Sequence, residues 1–190
     1  MRTATVKRKT KETDIEINLN LDGSGKTDIS TGVGFFDHML TALGMHAGFD
    51  LSVKVIGDLE VDCHHTIEDT GIVLGDALLK AMGDTPVERY GFFFLPMDEA
   101  LGFAALDLCM RPYFKFDCEF KADKVGDMDT QMFEEFFRAF AFNAKMTLHM
   151  ECCYGSNDHH KAESLFKALA HSLKIALVPK ANILSTKGVL

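Results

Sequence analysis

The chain has 190 residues, of which 47% are hydrophobic and 25% charged, and its net charge is -8. This length suits one large domain or two small packed halves, and the composition argues against a disordered or low-complexity chain. The negative charge argues against nucleic-acid binding as the main function, because nucleic-acid-binding proteins usually display a basic surface.

The N-terminal residues and the cysteines bear on the cellular location of the protein. The first ten residues are basic and lead into an alternating segment, so they lack the apolar core of a signal peptide. The sequence has no apolar stretch long enough to span a membrane. Its five cysteines include no C-x-x-C pair, which fits reduced thiols better than a disulfide framework. We therefore expect a cytoplasmic protein.

Hydrophobic periodicity predicts strands and helices along the whole chain. Apolar and polar residues alternate over residues 15–21, 51–55 and 114–120, and this pattern predicts half-buried antiparallel strands. Helical spacing covers residues 36–43, 66–82, 133–142 and 161–177. The prediction is two helices in each half of the chain.

The order of elements repeats. Residues 36–52 align without a gap on residues 133–149, which places His38 opposite Glu135. A His-His-x-x-Glu cluster follows in each half, at 64–68 and at 159–163. We predict a single domain made of two repeats, about 1–90 and 91–190, which divide near residues 89–91.

The duplicated clusters predict metal ligands. If each cluster opens a helix, His64 and Glu68 lie one turn apart on one face. Adjacent histidines point about 100° apart around a helix, so each pair is expected to serve two ions. Imidazole and carboxylate donors suit Mn, Fe, Co or Zn better than Ca or Mg. Eight candidate ligands, four for each of two ions, are His38, His64, His65, Glu68, Glu135, His159, His160 and Glu163.

Cationic side chains near the second cluster suggest an anionic substrate. Lys167 lies one turn after Glu163, whereas its repeat counterpart is Ile72. Arg89, Arg111 and the segment 185–188 add donors that suit phosphate. An ordinary Glu-Lys ion pair is the alternative interpretation of Lys167. The sequence has no Walker A motif, no dinucleotide-binding G-x-G-x-x-G and no H-E-x-x-H, which argues against nucleotide-dependent and zincin mechanisms.

Several motifs in order resemble the imidazoleglycerol-phosphate dehydratase family. They are KET at 11–13, GFFDHML at 34–40, CHHTIED at 63–69, PMDEA at 96–100, GDMDT at 126–130, NDHHKAE at 157–163 and STKGV at 185–189. The resemblance runs nearly end to end. Cys63 stands where the family commonly has Asp, Thr186 where Ser is usual, and position 135 is His or Glu in the family.

The resemblance implies an α+β fold of two pseudo-symmetric halves, each a four-stranded sheet with two helices on one face, like domain 2 of ribosomal protein S5. It implies a hydro-lyase of histidine biosynthesis that converts imidazole glycerol phosphate to imidazole acetol phosphate. It further implies two Mn²⁺ ions per subunit and a homo-oligomer of 24 subunits with metal sites at subunit interfaces.

The resemblance also assigns site residues. The eight ligands carry over, together with the phosphate contacts Arg89, Arg111, Lys167, Ser185 and Lys187. Glu12 and Asp98 join as substrate-site residues, and Glu163 or Glu12 is the candidate acid/base.

The substrate's chemistry explains why metal ions are expected. The proton to be removed is not next to a carbonyl, so a base alone faces a poorly acidic carbon. A metal-bound imidazolate could expel the neighbouring hydroxyl and give a diazafulvene-like intermediate, whose adjacent proton is far more acidic. Two other functions stay open at this point: a phosphoesterase that uses a metal hydroxide, and a non-catalytic metal-binding assembly.

Overall fold

The structure of the chain is a computed structural model that describes residues 1–182. The elements of the first half are β1 (Thr3–Lys9), β2 (Thr13–Asn20), β3 (Thr27–Ser30), α1 (Gly34–Ala47), β4 (Asp50–Gly57) and α2 (His64–Met82). Its strands form a four-stranded sheet in the order β1-β2-β4-β3.

The elements of the second half are β5 (Tyr90–Met97), β6 (Ala100–Asp107), β7 (Tyr113–Asp117), β8 (Lys124–Val125), β9 (Met128–Asp129), α3 (Gln131–Asn143), β10 (Thr147–Tyr154) and α4 (Asp158–Ala176). They repeat the arrangement of the first half, with the sheet order β5-β6-β10-β7, and a two-stranded hairpin of β8 and β9 is inserted before α3. Corresponding strands occupy corresponding places in the two sheets. The predicted α+β fold of two similar halves is therefore confirmed.

The predicted helices and most strands are confirmed, but one pairing expectation was wrong. β7 pairs with β10 in parallel, and Thr147 lies opposite Tyr113. Its counterpart β3 likewise pairs in parallel with β4. Alternation reports only which face of a strand is buried, and that pattern is the same for an antiparallel strand and for a half-exposed parallel edge strand. The strand also ends at Asp117, before the predicted limit of residue 120.

The helices of the two halves pack against one another between the sheets. α1 contacts α4 and α2 contacts α3, while α2 and α4 also cover the sheets of their own halves. A continuous buried cluster includes side chains from both halves, with Phe36 from α1, Phe136 from α3 and Phe166 from α4 among them. The two repeats therefore share a core.

Two glycines allow α2 and α3 to approach closely. A Cβ atom on Gly71 would lie 2.7 Å from the Phe136 carbonyl oxygen, and one on Gly75 would lie 2.6 Å from the Phe140 carbonyl oxygen. Distances this short exclude any side chain at these positions without movement of a helix. This contact positions the start of α2 beside α3, where a group of candidate ligands meets. Within residues 1–182, no helix is long and apolar enough to cross a membrane.

Candidate metal centre

Both His-His-x-x-Glu clusters open a helix, which is the condition under which their histidine and glutamate share a face. α2 begins at His64, whose backbone N–H donates to Asp62 Oδ1 at 2.7 Å. α4 begins one residue before His159, and the Asn157 side chain accepts from the His159 backbone N–H at 2.9 Å. These side-chain hydrogen bonds satisfy N–H groups that have no partner within the helix. The clusters are thus held at fixed helix starts rather than on loops.

The first group of candidate ligands is His64, Glu68 and Glu135, with one ligand atom from each within 4.8 Å of the others. His64 Nε2 lies 3.3 Å from Glu68 Oε2, across one turn of α2. Glu135 comes from α3, in the second half of the chain. All three residues are partly exposed, so an ion could reach them from solvent.

The second group is His38, His159 and Glu163, again within 4.8 Å. Glu163 Oε2 lies 3.1 Å from His159 Nε2 and 3.6 Å from His38 Nε2. His38 comes from α1 and the other two from α4. The start of α1 is also held by the second half of the chain, because the Asp127 carboxylate accepts a hydrogen bond from the Gly34 backbone N–H at 2.6 Å. Each group therefore combines a helix from each repeat.

The other two predicted histidine ligands, His65 and His160, point away from these groups. His65 Nδ1 lies 3.0 Å from Asp58 Oδ2, and His65 Nε2 lies 3.8 Å from Glu12 Oε1. The ring of His65 makes an interplanar angle of 67° with that of His64, as expected of neighbours on a helix. The hydrogen bond to Asp58 raises the pKa of His65.

His160 has the same arrangement in the second half. Its Nδ1 lies 2.7 Å from Glu99 Oε2, and its Nε2 lies 3.6 Å from Asp98 Oδ2. The hydrogen bond raises the pKa of His160 and holds the pKa of Glu99 far below its usual range. A carboxylate on Nδ1 fixes the ring and leaves Nε2 as the donor atom for a metal.

Lys167 pairs with the carboxylate of the second group. Its Nζ lies 2.5 Å from Glu163 Oε1, and both side chains are largely buried. Burial alone would raise the pKa of Glu163, but the hydrogen bond and charge of Lys167, helped by His159, outweigh it and lower the pKa. Glu163 is therefore ionised at neutral pH, with each oxygen already facing a polar partner.

Among the described residues, the predicted phosphate contact Arg89 lies far from the second group. Arg89 forms two bonds to Asp107, of 2.6 and 3.0 Å, beside the last turn of α4, where its N–H donates to the Ala176 carbonyl. Arg111 lies next to Thr147, the first residue of β10. Since α4 has 19 residues, Arg89 at its last turn lies roughly 25 Å from the start of α4, which carries the second group. Ser185 and Lys187 lie outside the described residues.

Two other residues, His149 and Cys63, lie outside both groups. His149 is exposed on the outer face of β10, beside Tyr113. Alternation along β10 turns Leu148 and Met150 inward and therefore His149 outward. Cys63, which adjoins the first cluster, is not in either group; its thiol instead donates to Asp129 Oδ2 at 3.4 Å.

Sequence reasoning missed three charged residues around the groups. Asp58 and Glu99 orient His65 and His160, and Arg138 contacts both carboxylates of the first group. Glu99 belongs to the PMDEA motif and adjoins Asp98, which was assigned to the substrate site, so the motif could have indicated it. Arg138 lies three residues after Glu135, a helical spacing that could have indicated the contact. For Asp58 we find no such signal.

The donor sets fit a divalent transition-metal ion. Each group offers imidazole nitrogen and carboxylate oxygen, a mixture suited to Mn, Fe, Co or Zn. Contacts of 3.1–3.6 Å between the donor atoms are close to the separations of neighbouring ligands on one ion with bonds of about 2.1 Å. In the described part of the chain, these two groups are where such donors converge.

The fold and the two groups define a duplicated α+β protein whose helix starts carry His–carboxylate sites suited to a metal. The sequence model of the imidazoleglycerol-phosphate dehydratase family matches residues 31–173. The chain therefore belongs to this family of hydro-lyases in histidine biosynthesis, as the motifs predicted.

Individual relatives agree. Imidazoleglycerol-phosphate dehydratase from Acetivibrio thermocellus is 56% identical over 97% of both chains, and that from Clostridium novyi is 52% identical over 96% of this chain and 95% of its own. The crystal structure of the Staphylococcus aureus dehydratase has a TM-score of 0.85 at 38% identity and covers 94% of this chain and 99% of its own. The Pyrococcus furiosus enzyme, in complex with (S)-C348, has a TM-score of 0.87 at 35% identity and covers 97% and 100%.

Proposed function

We propose that the chain dehydrates imidazole glycerol phosphate to imidazole acetol phosphate with two Mn²⁺ ions, one at each group. The observation that carries the proposal is the convergence of imidazole and carboxylate atoms within 4.8 Å in two groups related by the duplication. When bound, the ions would polarise the substrate's imidazole and favour its deprotonated form, on which the diazafulvene route depends.

We further propose that the sites are completed by another subunit. Three of the eight predicted ligands converge in each group, and the other two, His65 and His160, present Nε2 at partly exposed positions. A histidine from a neighbouring chain would bring each group to four protein ligands. The large separation of Arg89 from the second group supports the same arrangement, because one small substrate cannot reach both within one chain. The count of 24 subunits and the cytoplasmic location stay predictions.

Glu12 is better suited than Glu163 to move the proton. The Glu163 oxygens face Lys167 on one side and two histidines on the other, which favours a role as ligand. Glu12 lies in the turn between β1 and β2, about half exposed and near His65 Nε2. A base must be within reach of the substrate carbon, and an exposed carboxylate beside a ligand histidine meets that requirement. Lys167, Arg89 and Arg111 would hold the phosphate and orient the chain for proton removal.

The test is turnover of imidazole glycerol phosphate by the purified protein before and after chelation. Chelation is expected to abolish formation of imidazole acetol phosphate, and Mn²⁺ to restore it. His64→Ala should lower kcat at least about 100-fold, since it removes a ligand of the first group. His149→Ala, which removes an exposed histidine on the outer sheet face, is the control.

Three results would contradict the proposal. Full activity after chelation and in His64→Ala would exclude the metal role. Release of inorganic phosphate from the substrate would indicate the phosphoesterase. Mn²⁺ binding without turnover, unaffected by Lys167→Ala, would indicate a metal-binding assembly.

A further inference from the structure

In each group, a cationic side chain contacts the glutamate of the His-His-x-x-Glu cluster, at the oxygen that does not face a histidine. In the second group, Lys167 Nζ contacts Glu163 Oε1, while Oε2 faces the histidines. In the first group, Arg138 Nη2 lies 3.9 Å from Glu68 Oε1, while Glu68 Oε2 faces His64. In both groups, therefore, the glutamate lies between a histidine on one oxygen and a cation on the other.

The two cations come from different helices of the repeat. Lys167 is on α4, and the corresponding position of α2 holds Ile72. Arg138 is on α3, and the corresponding position of α1, in the gapless alignment, holds Thr41. The sequence repeat thus loses its symmetry at both positions, whereas the packing of α2 on α3 restores a cation beside the first group.

The first group has a stronger need for this charge. It contains two carboxylates and one imidazole, whereas the second contains one carboxylate and two imidazoles. Two neighbouring carboxylates repel each other. Arg138 also forms an ion pair with Glu135 Oε2, so its guanidinium contacts both carboxylates. Arginine is charged at any physiological pH and offers several donors in one plane, which suits it to bridge two acids.

We propose that Arg138 is a positioning residue that holds Glu68 and Glu135 together in the metal-free chain and lowers the affinity of the first group for divalent cations. This inference rests on the proposed metal function. Glu135 stands where the duplication places a partner of His38, and Arg138 offsets the extra negative charge that a carboxylate brings there. The Arg138 side chain is 46% exposed, so the effect on affinity is moderate rather than large.

The test compares Arg138→Gln with wild type in two measurements on the whole assembly. The first is Mn²⁺ binding by calorimetry, and the second is the thermal midpoint of the chelator-treated protein. Arg138→Gln is expected to tighten binding at one class of site by roughly three- to fivefold, the size of effect that a partly exposed charge produces. It should also lower the metal-free midpoint by a few degrees, because the two carboxylates lose their bridge.

Two matched variants separate this role from a surface ion pair. Lys80→Gln removes one positive charge at the exposed far end of α2 and should change neither measurement. Arg138→Lys keeps the charge and should retain near wild-type affinity. In a Glu135→Gln background, removal of Arg138 should change Mn²⁺ affinity less than in wild type, which shows that the two residues are coupled.

The inference is overturned if Arg138→Gln behaves like Lys80→Gln, or if it weakens Mn²⁺ binding. A wild-type protein that binds no Mn²⁺ overturns the proposed metal function and the affinity part of the inference. In that case, the role of Arg138 in holding the two carboxylates together is supported if Arg138→Gln lowers the thermal midpoint of the metal-free protein and Lys80→Gln does not.

Discussion

Two histidines outside the ligand groups couple α1 and α4. His46 Nδ1 lies 3.2 Å from His171 Nε2, and the His171 ring stacks on Phe93 with a centroid distance of 4.4 Å. Burial lowers the pKa of both histidines. The charge of Lys167 adds to this effect at His46, where Glu163 opposes it, and the charge of Lys174 adds to it at His171.

This pair should make the metal-free protein less stable at acidic pH. Both histidines have a pKa below 6.5 in the folded chain, so the unfolded chain binds more protons as the pH falls below that value. Their contribution to the free energy of unfolding is therefore fully present above about pH 6.5 and is lost as the pH falls through the lowered pKa values. His171→Gln should flatten this loss below about pH 6.5 in urea unfolding.

The measurement must use the difference between wild type and variant. The raised pKa values of His65 and His160 give a slope of the opposite sign in both proteins, and subtraction removes it. His149→Gln controls for loss of an exposed imidazole. An identical pH profile for His171→Gln and wild type would show that the contact contributes nothing to acid sensitivity.

At the scale of elements, the contact between α2 and α3 determines whether the first group can form. Gly75→Ala should destabilise the chain by about 1–3 kcal/mol, although alanine favours a helix by about 1 kcal/mol over glycine. The reason is that the new methyl would lie 2.6 Å from the Phe140 carbonyl oxygen and 2.8 Å from the Ala144 nitrogen, which are backbone atoms.

Urea unfolding of the metal-free protein checks this prediction, with the exposed Lys80→Ala on the same helix as the control. Because α3 must move away from α2, Mn²⁺ affinity at the first group should fall as well. A gain of stability in Gly75→Ala would mean that the helices separate freely, so that glycine is not needed for the approach.

The elements also show what the sequence could and could not predict. Helices, strands and the duplication follow from periodicity, and the gapless alignment places α3 and β10 where α1 and β4 predict. The ligand pairs within α2 and α4 follow from helical spacing. Parallel pairing of β7 and the contact of Arg138 with Glu68 depend on neighbours distant in sequence, which local patterns do not specify.

At the scale of the whole molecule, each group of candidate ligands contains residues from both repeats. Glu135 reaches α2 from the second half, and His38 reaches α4 from the first. The phenylalanines between the helices lie in the same continuous core. A half on its own would expose the helix faces that pack on the other half. It would also contain only part of each group of candidate ligands. This explains why a duplicated sequence is predicted to form one domain.

The chain should accordingly unfold as one cooperative unit. Phe136→Leu, a change in α3, should lower the free energy of unfolding by about 1–2 kcal/mol, because Phe136 is fully buried against Phe36 of the first half and Phe166 of the second. Hydrogen exchange on the metal-free protein should show equal loss of protection at Ile17 in β2 and Ala104 in β6, since both amides open only with the shared core. Ile56→Ala, at a position that is 78% exposed on β4, should leave both unchanged. Loss confined to Ala104, or two separate unfolding transitions, would show that the repeats fold as independent domains and that the ligand groups form only when they dock.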